Sequence, residues 1–162
     1  MTDIRIVNQA SLAGIWADYL FAKGRLDESN ELMTAVTVAL LTDSLADAND
    51  VLPDPDSTDR RGWWGDTDAD IWEGWPIGCK NWLLLRAKIT DANSFEGATV
   101  VRAEMYTRQA LQPFIDKKIC SRVDVTATRT DDQQIDVTVV IYRGPLVEIE
   151  LRFQNLWTGI GG

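Results

Sequence analysis

The last third of the chain alternates apolar and polar residues with a period of two. Val123, Val125 and Ala127 alternate with Arg122, Asp124, Thr126 and Thr128. Ile135, Val137, Val139 and Ile141 alternate with Asp136, Thr138 and Tyr142, and Val147, Ile149, Leu151 and Phe153 with Glu148, Glu150 and Arg152. Successive side chains of a strand point to opposite faces, so each run presents one apolar face. Thr130-Asp131-Asp132-Gln133 and Arg143-Gly144-Pro145 supply turn residues between the runs. The pattern predicts a three-stranded antiparallel meander with one face to be covered.

Upstream, the period lengthens to that of helices. Ser29 or Asn30 can cap a helix whose first turn carries Glu31, and Leu32, Val36, Ala39, Leu40 and the pair Leu41/Leu45 recur at helical spacing. This predicts a helix over 31–48 with a core-facing stripe. A short helix is expected over 80–89, with Trp82, Leu85 and Ile89 on one face. A longer one is expected over 96–112, with Ala103, Tyr106, Ala110 and Phe114 inward. Pro113 is expected to bend or restart it, while Lys117 and Lys118 suit its negative end. Near the N-terminus, Ile4, Ile6 and Asn8 alternate with Arg5 and Val7, and a second extended run covers Ile15 to Phe21. These two runs pair as a hairpin or form an arm that a partner orders. Helices covering one face of an antiparallel sheet make a two-layer α+β fold.

Between the first two helices, residues 49–77 have no sustained period. A loop that long in a compact domain is unusual and normally functional. It holds Trp63, Trp64, Trp72 and Trp75, whereas disordered linkers are aromatic-poor. At its centre runs Asp59-Arg60-Arg61-Gly62-Trp63-Trp64-Gly65-Asp66. Arginine stacks on indole and forks onto carboxylates, and the two glycines permit a sharply turned backbone. The stretch therefore reads as an ordered loop, either a docking surface or a plug of the chain's own core.

The 162 residues suffice for one domain, 1–162, with a sizeable core. A net charge of −9 gives no basic field for nucleic acid. The chain has no histidine, which removes Ser-His-Asp and Cys-His catalysis and histidine-ligated metals. Cys79 and Cys120 form neither a disulfide framework nor a zinc motif, and suit a reducing cytosol. Met1-Thr2-Asp3-Ile4-Arg5 lacks a signal-peptide apolar region, and Arg86 soon ends the run Trp82-Leu83-Leu84-Leu85, so no membrane span is expected. Asp66, Asp68 and Asp70 fit the start of a calcium-loop register. Ile71 and Ile77, however, stand where the turn glycine and bidentate glutamate belong, and no metal or other cofactor is expected. Carboxylates near tryptophans also leave open a carbohydrate-binding or peptidoglycan-cleaving domain. A deep cleft joining Trp72 or Trp75 to a buried carboxylate is its signature.

The RRGWWGD string at 60–66, followed by Gly78-Cys79-Lys80-Asn81-Trp82-Leu83-Leu84-Leu85-Arg86-Ala87-Lys88 and a final Leu156-Trp157, resembles the Mu-like phage tail protein family known as gene product forty-six. The resemblance runs from about Leu26 to Trp157, and residues 1–25 match poorly. More distantly, the family looks like the baseplate wedge protein of T-even phages (gene product twenty-five) and its counterpart in type VI secretion. That group's Glu-Pro-Arg turn is only partly echoed: Arg122 fits the arginine, but Cys120-Ser121 replace Glu-Pro, and Gly78-Cys79 replaces Gly-Ser. The resemblance implies a non-enzymatic structural subunit of a contractile-tail baseplate, assembled in the host cytoplasm and carried in the virion. It implies a six-fold hetero-oligomeric assembly with the larger wedge protein, the tube or hub proteins and the sheath.

Partner contacts are expected at Arg60, Arg61, Trp63, Trp64, Asp66, Trp82, Arg86 and Arg122. They are also expected along Val147, Ile149, Leu151 and Phe153, where an outer strand offers unpaired backbone groups to an extended sheath arm. The alternative is an edge covered by the chain's own residues 4–9.

Overall fold

The computed structural model describes residues 6–11, 14–19, 21–22, 25–26, 31–63, 75–87, 99–130 and 134–153, with backbone alone before residue 31 and after residue 145. The fold is α+β. Strands β5 (Arg122–Arg129), β6 (Ile135–Arg143) and β7 (Leu146–Phe153) are hydrogen-bonded in the order β5-β6-β7, both pairs antiparallel. Helix α2 (Thr99–Asp116) lies chiefly over β5, and helix α1 (Glu31–Leu41) packs against α2. The inward sheet residues Val123, Val125, Ile135, Val137, Val139 and Ile141 are all buried, as the period-two pattern requires. Asp136 is buried on the opposite face, where the Gln134 side-chain amide donates to its carboxylate at 2.6 Å.

Near the N-terminus, β1 (Ile6–Ser11) pairs antiparallel with β2 (Gly14–Tyr19). The short β3 (Phe21–Ala22) and β4 (Arg25–Leu26) form a second pair. Neither pair is hydrogen-bonded into the three-stranded sheet, so β1 does not pair with the outer side of β7.

Three helix boundaries differ from the sequence pattern. Helix α1 ends at Leu41 rather than Ala48, because residues 42–46 are claimed by distant backbone. The Thr42 carbonyl accepts from the Cys79 amide at 2.8 Å, the Ser44 amide donates to the Cys79 carbonyl at 3.2 Å, and the Ala46 amide donates to the Arg60 carbonyl at 3.0 Å. Leu41 and Leu45, placed inward by periodicity, are accordingly exposed. The segment after Cys79 is a 3-10 turn over Lys80–Leu84, with Trp82, Leu83 and Leu84 all buried. Wedged between residues 43–46 and α2, it keeps only Lys80 and Asn81 part-exposed, too little solvent face to impose a period. Helix α2 passes through Pro113 to Asp116, four residues beyond the expected end; near the end of a helix the missing amide removes only one ladder bond. Its inward residues Ala103, Tyr106, Ala110 and Phe114 are buried as expected.

The end of α2 carries a further feature. Ile119 N–H donates to the Phe114 carbonyl and Lys118 N–H to that of Ile115, the double bond of a Schellman cap. The left-handed position is held by Lys118 at φ 59°, where glycine is usual. The strain of a side chain there is about 1 kcal/mol. Lys118→Gly is expected to raise the melting temperature by about 2–4 °C, measured by calorimetry against the parent. An unchanged or lower value would mean that the lysine side chain compensates the strain.

Candidate functional site

The RRGW segment does not stand alone; it closes a clamp around residues 43–46. On one side of this extended strap runs Cys79-Lys80, in a parallel bridge with Asp43. On the other runs Arg60, whose carbonyl accepts from Ala46 N–H and whose guanidinium donates back to the Ala46 carbonyl. Trp82, 5% exposed, donates its indole N–H to the Ser44 carbonyl at 2.8 Å. These bonds supply partners for the backbone groups of Ala46 and Cys79, both buried residues.

Two glycines make the closeness possible. At Gly78 (φ 119°) a Cβ would fall 2.7 Å from the Ser44 amide nitrogen and 2.9 Å from the Thr42 carbonyl oxygen. At Gly62 (φ 97°) it would fall 3.0 Å from the Leu45 Cβ.

Arg61 is the pivot. Its backbone sits at φ 49°, in the left-handed region, and its amide donates to the Asp59 carboxylate at 2.8 Å. Its guanidinium lies 4.8 Å from the centroid of a Trp82 ring and pairs with Asp43 at 2.6 Å. A non-glycine residue held there, with charge, ring and backbone all engaged, is an over-determined conformation of the kind that accumulates at functional sites. Beside it opens a cleft of about 230 Å³, walled by Leu52, Pro53, Trp82 and Leu85, with Arg61 and Arg86 at its rim. Arg86 reaches only a loose ion pair with Asp54 at 3.4 Å, both side chains well exposed.

The clamp's electrostatic anchor was absent from the sequence expectations. Lys80 Nζ pairs with Asp47 and, at 2.8 Å, with Asp50, and the Lys80 and Asp50 side chains are only 20% and 22% exposed. Burial alone would raise the Asp50 carboxyl, but the Lys80 ammonium and the Asp47 amide outweigh it and hold the group below its ordinary value. Burial likewise lowers Lys80, and its two carboxylate partners more than reverse that. A depressed carboxylate contributes stability above its unfolded pKa of about 4, lost as pH falls through the folded value. A raised lysine contributes below its unfolded pKa of about 10.4, lost as pH rises through the folded value. The pair therefore stabilises across roughly pH 4 to 10. Lys80→Met is expected to cost about 1.5–3 kcal/mol at neutral pH. In urea titrations its deficit should shrink as Asp50 protonates below about pH 4; a deficit independent of pH would show that packing, not charge, is lost.

The expected site residues thus divide. Arg60, Arg61, Trp82 and Arg86 meet at the clamp and its cleft, and Trp63 follows, half-buried. Trp64 and Asp66, with Trp72, Asp68, Asp70 and Ile71, lie outside the described residues. Arg122 belongs instead to the first sheet strand, with its guanidinium 3.9 Å from the Tyr142 ring centroid and paired with Asp124 at 3.1 Å. Val147, Ile149, Leu151 and Phe153 follow one another along β7, opposite Tyr142, Ile141, Val139 and Val137. Trp75 sets its ring edge-to-face with Phe114 at 5.0 Å, and among the described residues no cleft joins it to a buried carboxylate. Burial pushes the Cys79 thiol up to about 11, despite hydrogen bonds from the Asn81 amide and the Thr107 hydroxyl. It is a buried core residue. No group of three or more Cys, Asp and Glu side chains among the described residues is arranged to hold a metal ion, and none of their helices is long and apolar enough to cross a membrane.

Fold and clamp together define an α+β domain that carries a pre-formed loop platform on one side. The chain belongs to the phage protein GP46 family, whose model matches residues 32–145, from α1 to the turn before β7. It is 45% identical to the baseplate protein gp46 of Escherichia phage Mu over 83 residues, 51% of this chain and 50% of the relative. It is 33% identical to the Mu-like prophage FluMu protein gp46 of Haemophilus influenzae over 103 residues, 64% of this chain and 60% of the relative. The chain thus spans about half the length of the first and three fifths of the second.

Proposed function

We propose that this chain is a structural, non-catalytic subunit of a contractile phage tail baseplate, carried in the virion and assembled in the host cytoplasm. The baseplate name borne by the phage Mu relative supports the setting. The observation that carries the docking role is Arg61, fixed in a strained conformation by Asp43, Asp59 and Trp82 beside an open cleft. The partner at this platform is the larger wedge protein, within a six-fold assembly that also contacts tube or hub proteins. Trp and Arg dominate interface hot spots, where truncation typically costs about 2 kcal/mol or more.

Deletion of the gene tests the role as a whole: tails lacking baseplates support it. Normal tails that fail only at the cell wall would replace it with a wall hydrolase. The docking site is tested by Trp63→Ala and Arg86→Ala in co-purification with the larger wedge protein. Binding should fall by roughly tenfold or more while the melting temperature holds. Binding unchanged in both variants would overturn the assignment of this surface.

The sheath is the partner at the sheet, where an extended arm adds along β7 from Val147 to Phe153. In the sheet register the Glu150 amide points away from β6. Glu150→Pro removes one edge donor without breaking the ladder, and should stop sheath growth on complete baseplates. Normal sheaths on that variant would sink the idea.

A further inference from the structure

The opposite edge of the sheet is built differently. The Thr130 amide donates to the Gln134 carbonyl, and that pair belongs to the same register as Arg122↔Tyr142, Asp124↔Val140 and Thr126↔Thr138. Even-numbered residues of β5 therefore turn their backbone groups toward β6. Val123, Val125 and Ala127 turn theirs outward. Arg108 of α2 reaches one of these groups. It donates to the Val125 carbonyl across 3.4 Å while Glu104 holds the same guanidinium nitrogen at 2.7 Å. A bond that long is weak, but a charged side chain laid over the middle of an edge is a known way to block strand addition. Next to it, α2 exposes Val101 (52%) and Met105 (43%) along a shallow groove that also includes Arg108.

The occupant that this edge fits is a second copy of the chain. Pairing β5 antiparallel with another β5 about Val125 sets Val123 opposite Ala127, Asp124 opposite Thr126 and Arg122 opposite Thr128. No like charges face each other, and the outward backbone groups of Val123, Val125 and Ala127 find partners in both copies. The same two-fold brings the two exposed α2 faces to the same side of the joined sheet. Such a pair would be a closed, isologous dimer. What opposes it is the Arg108 guanidinium, present twice at the centre and desolvated by pairing.

We propose that Arg108 is an edge guard: anchored by Glu104 on the Val125 carbonyl, it keeps β5 from pairing with β5 of a second copy. Sedimentation equilibrium over a wide concentration range tests this on the full chain. The parent should stay monomeric, and Arg108→Ala should tighten self-association by roughly tenfold or more, whereas Arg108→Lys should not. If Arg108→Ala does not fold, Arg108→Gln serves in its place, the exposed position being expected to tolerate it. Added to the dimerising variant, Ala127→Pro removes an outward amide and should restore the monomer. If that proline disrupts the strand, Thr126→Asp, which would face Asp124 of the other copy, should do the same. Three results would overturn the proposal: a parent that already dimerises through β5, a folded Arg108→Ala or Arg108→Gln that stays monomeric, or a dimer indifferent to the second substitutions.

Discussion

Trp82→Ala is expected to lower the stability by about 3–5 kcal/mol, the range for emptying a buried aromatic site. Three losses combine. A side chain that is 5% exposed is removed from between the strap and the core, the Ser44 carbonyl loses its indole donor, and the Arg61 guanidinium loses the ring it stacks on. Trp82→Phe separates these losses, because it keeps most of the apolar volume and deletes the N–H. A deficit of about 1–2 kcal/mol is expected for it, the cost of one buried carbonyl left unpaired. Chemical denaturation of both variants gives the comparison. Equal deficits for the two would mean that the hydrogen bond to the strap, rather than ring volume, dominates. The stronger variant should also release the Arg60–Trp63 turn, read as faster amide exchange at Arg61 and Gly62 than in Trp82→Phe.

Gly78→Ala should be about as damaging. A methyl group there would meet backbone, not a flexible side chain: the Ser44 nitrogen at 2.7 Å, the Ser44 Cα at 2.9 Å and the Thr42 oxygen at 2.9 Å. Its φ of 119° is strained for any L side chain as well. Strain of about 1–3 kcal/mol for the backbone and a similar amount for overpacking give roughly 2–6 kcal/mol together. For a chain of this size that is a fall of roughly 10 °C in melting temperature. Gly144→Ala is the matched comparison. It too has positive φ, at 71°, but nothing lies within 4 Å of its added methyl. It should lose only the conformational part, about 1 kcal/mol. A Gly78→Ala variant no worse than Gly144→Ala would show that the strap can move away, and that the clamp is looser than its hydrogen bonds indicate.

These two positions also mark the limit of what the sequence makes legible. Trp82 was singled out by its motif, and Arg61 by the company of tryptophans and glycines. That Arg61 stacks on Trp82, twenty-one residues along, has no local signature. Lys80 was invisible for the same reason: its carboxylate partners, Asp47 and Asp50, lie 33 and 30 residues back along the chain. Arg108 has no local signature either, since its carbonyl partner Val125 lies on a strand 17 residues further along.

The sequence by itself determined the elements whose physics is local. Alternation with a period of two determined the buried faces of β5 and β6, since a one-residue slip would turn Val123, Val125, Val137 and Val139 outward. Helical spacing determined the inward face of α2, because its apolar stripe recurs once per turn whatever it packs against. The tertiary structure alone decided where α1 stops, since Thr42, Ser44 and Ala46 leave the helix for backbone partners at Cys79 and Arg60. It likewise decided the 3-10 turn at Lys80–Leu84 and the left-handed Arg61. Each of these has a local conformational cost that long-range hydrogen bonds, ion pairs and burial offset, and such partners are set by the folded topology rather than by neighbours in the chain.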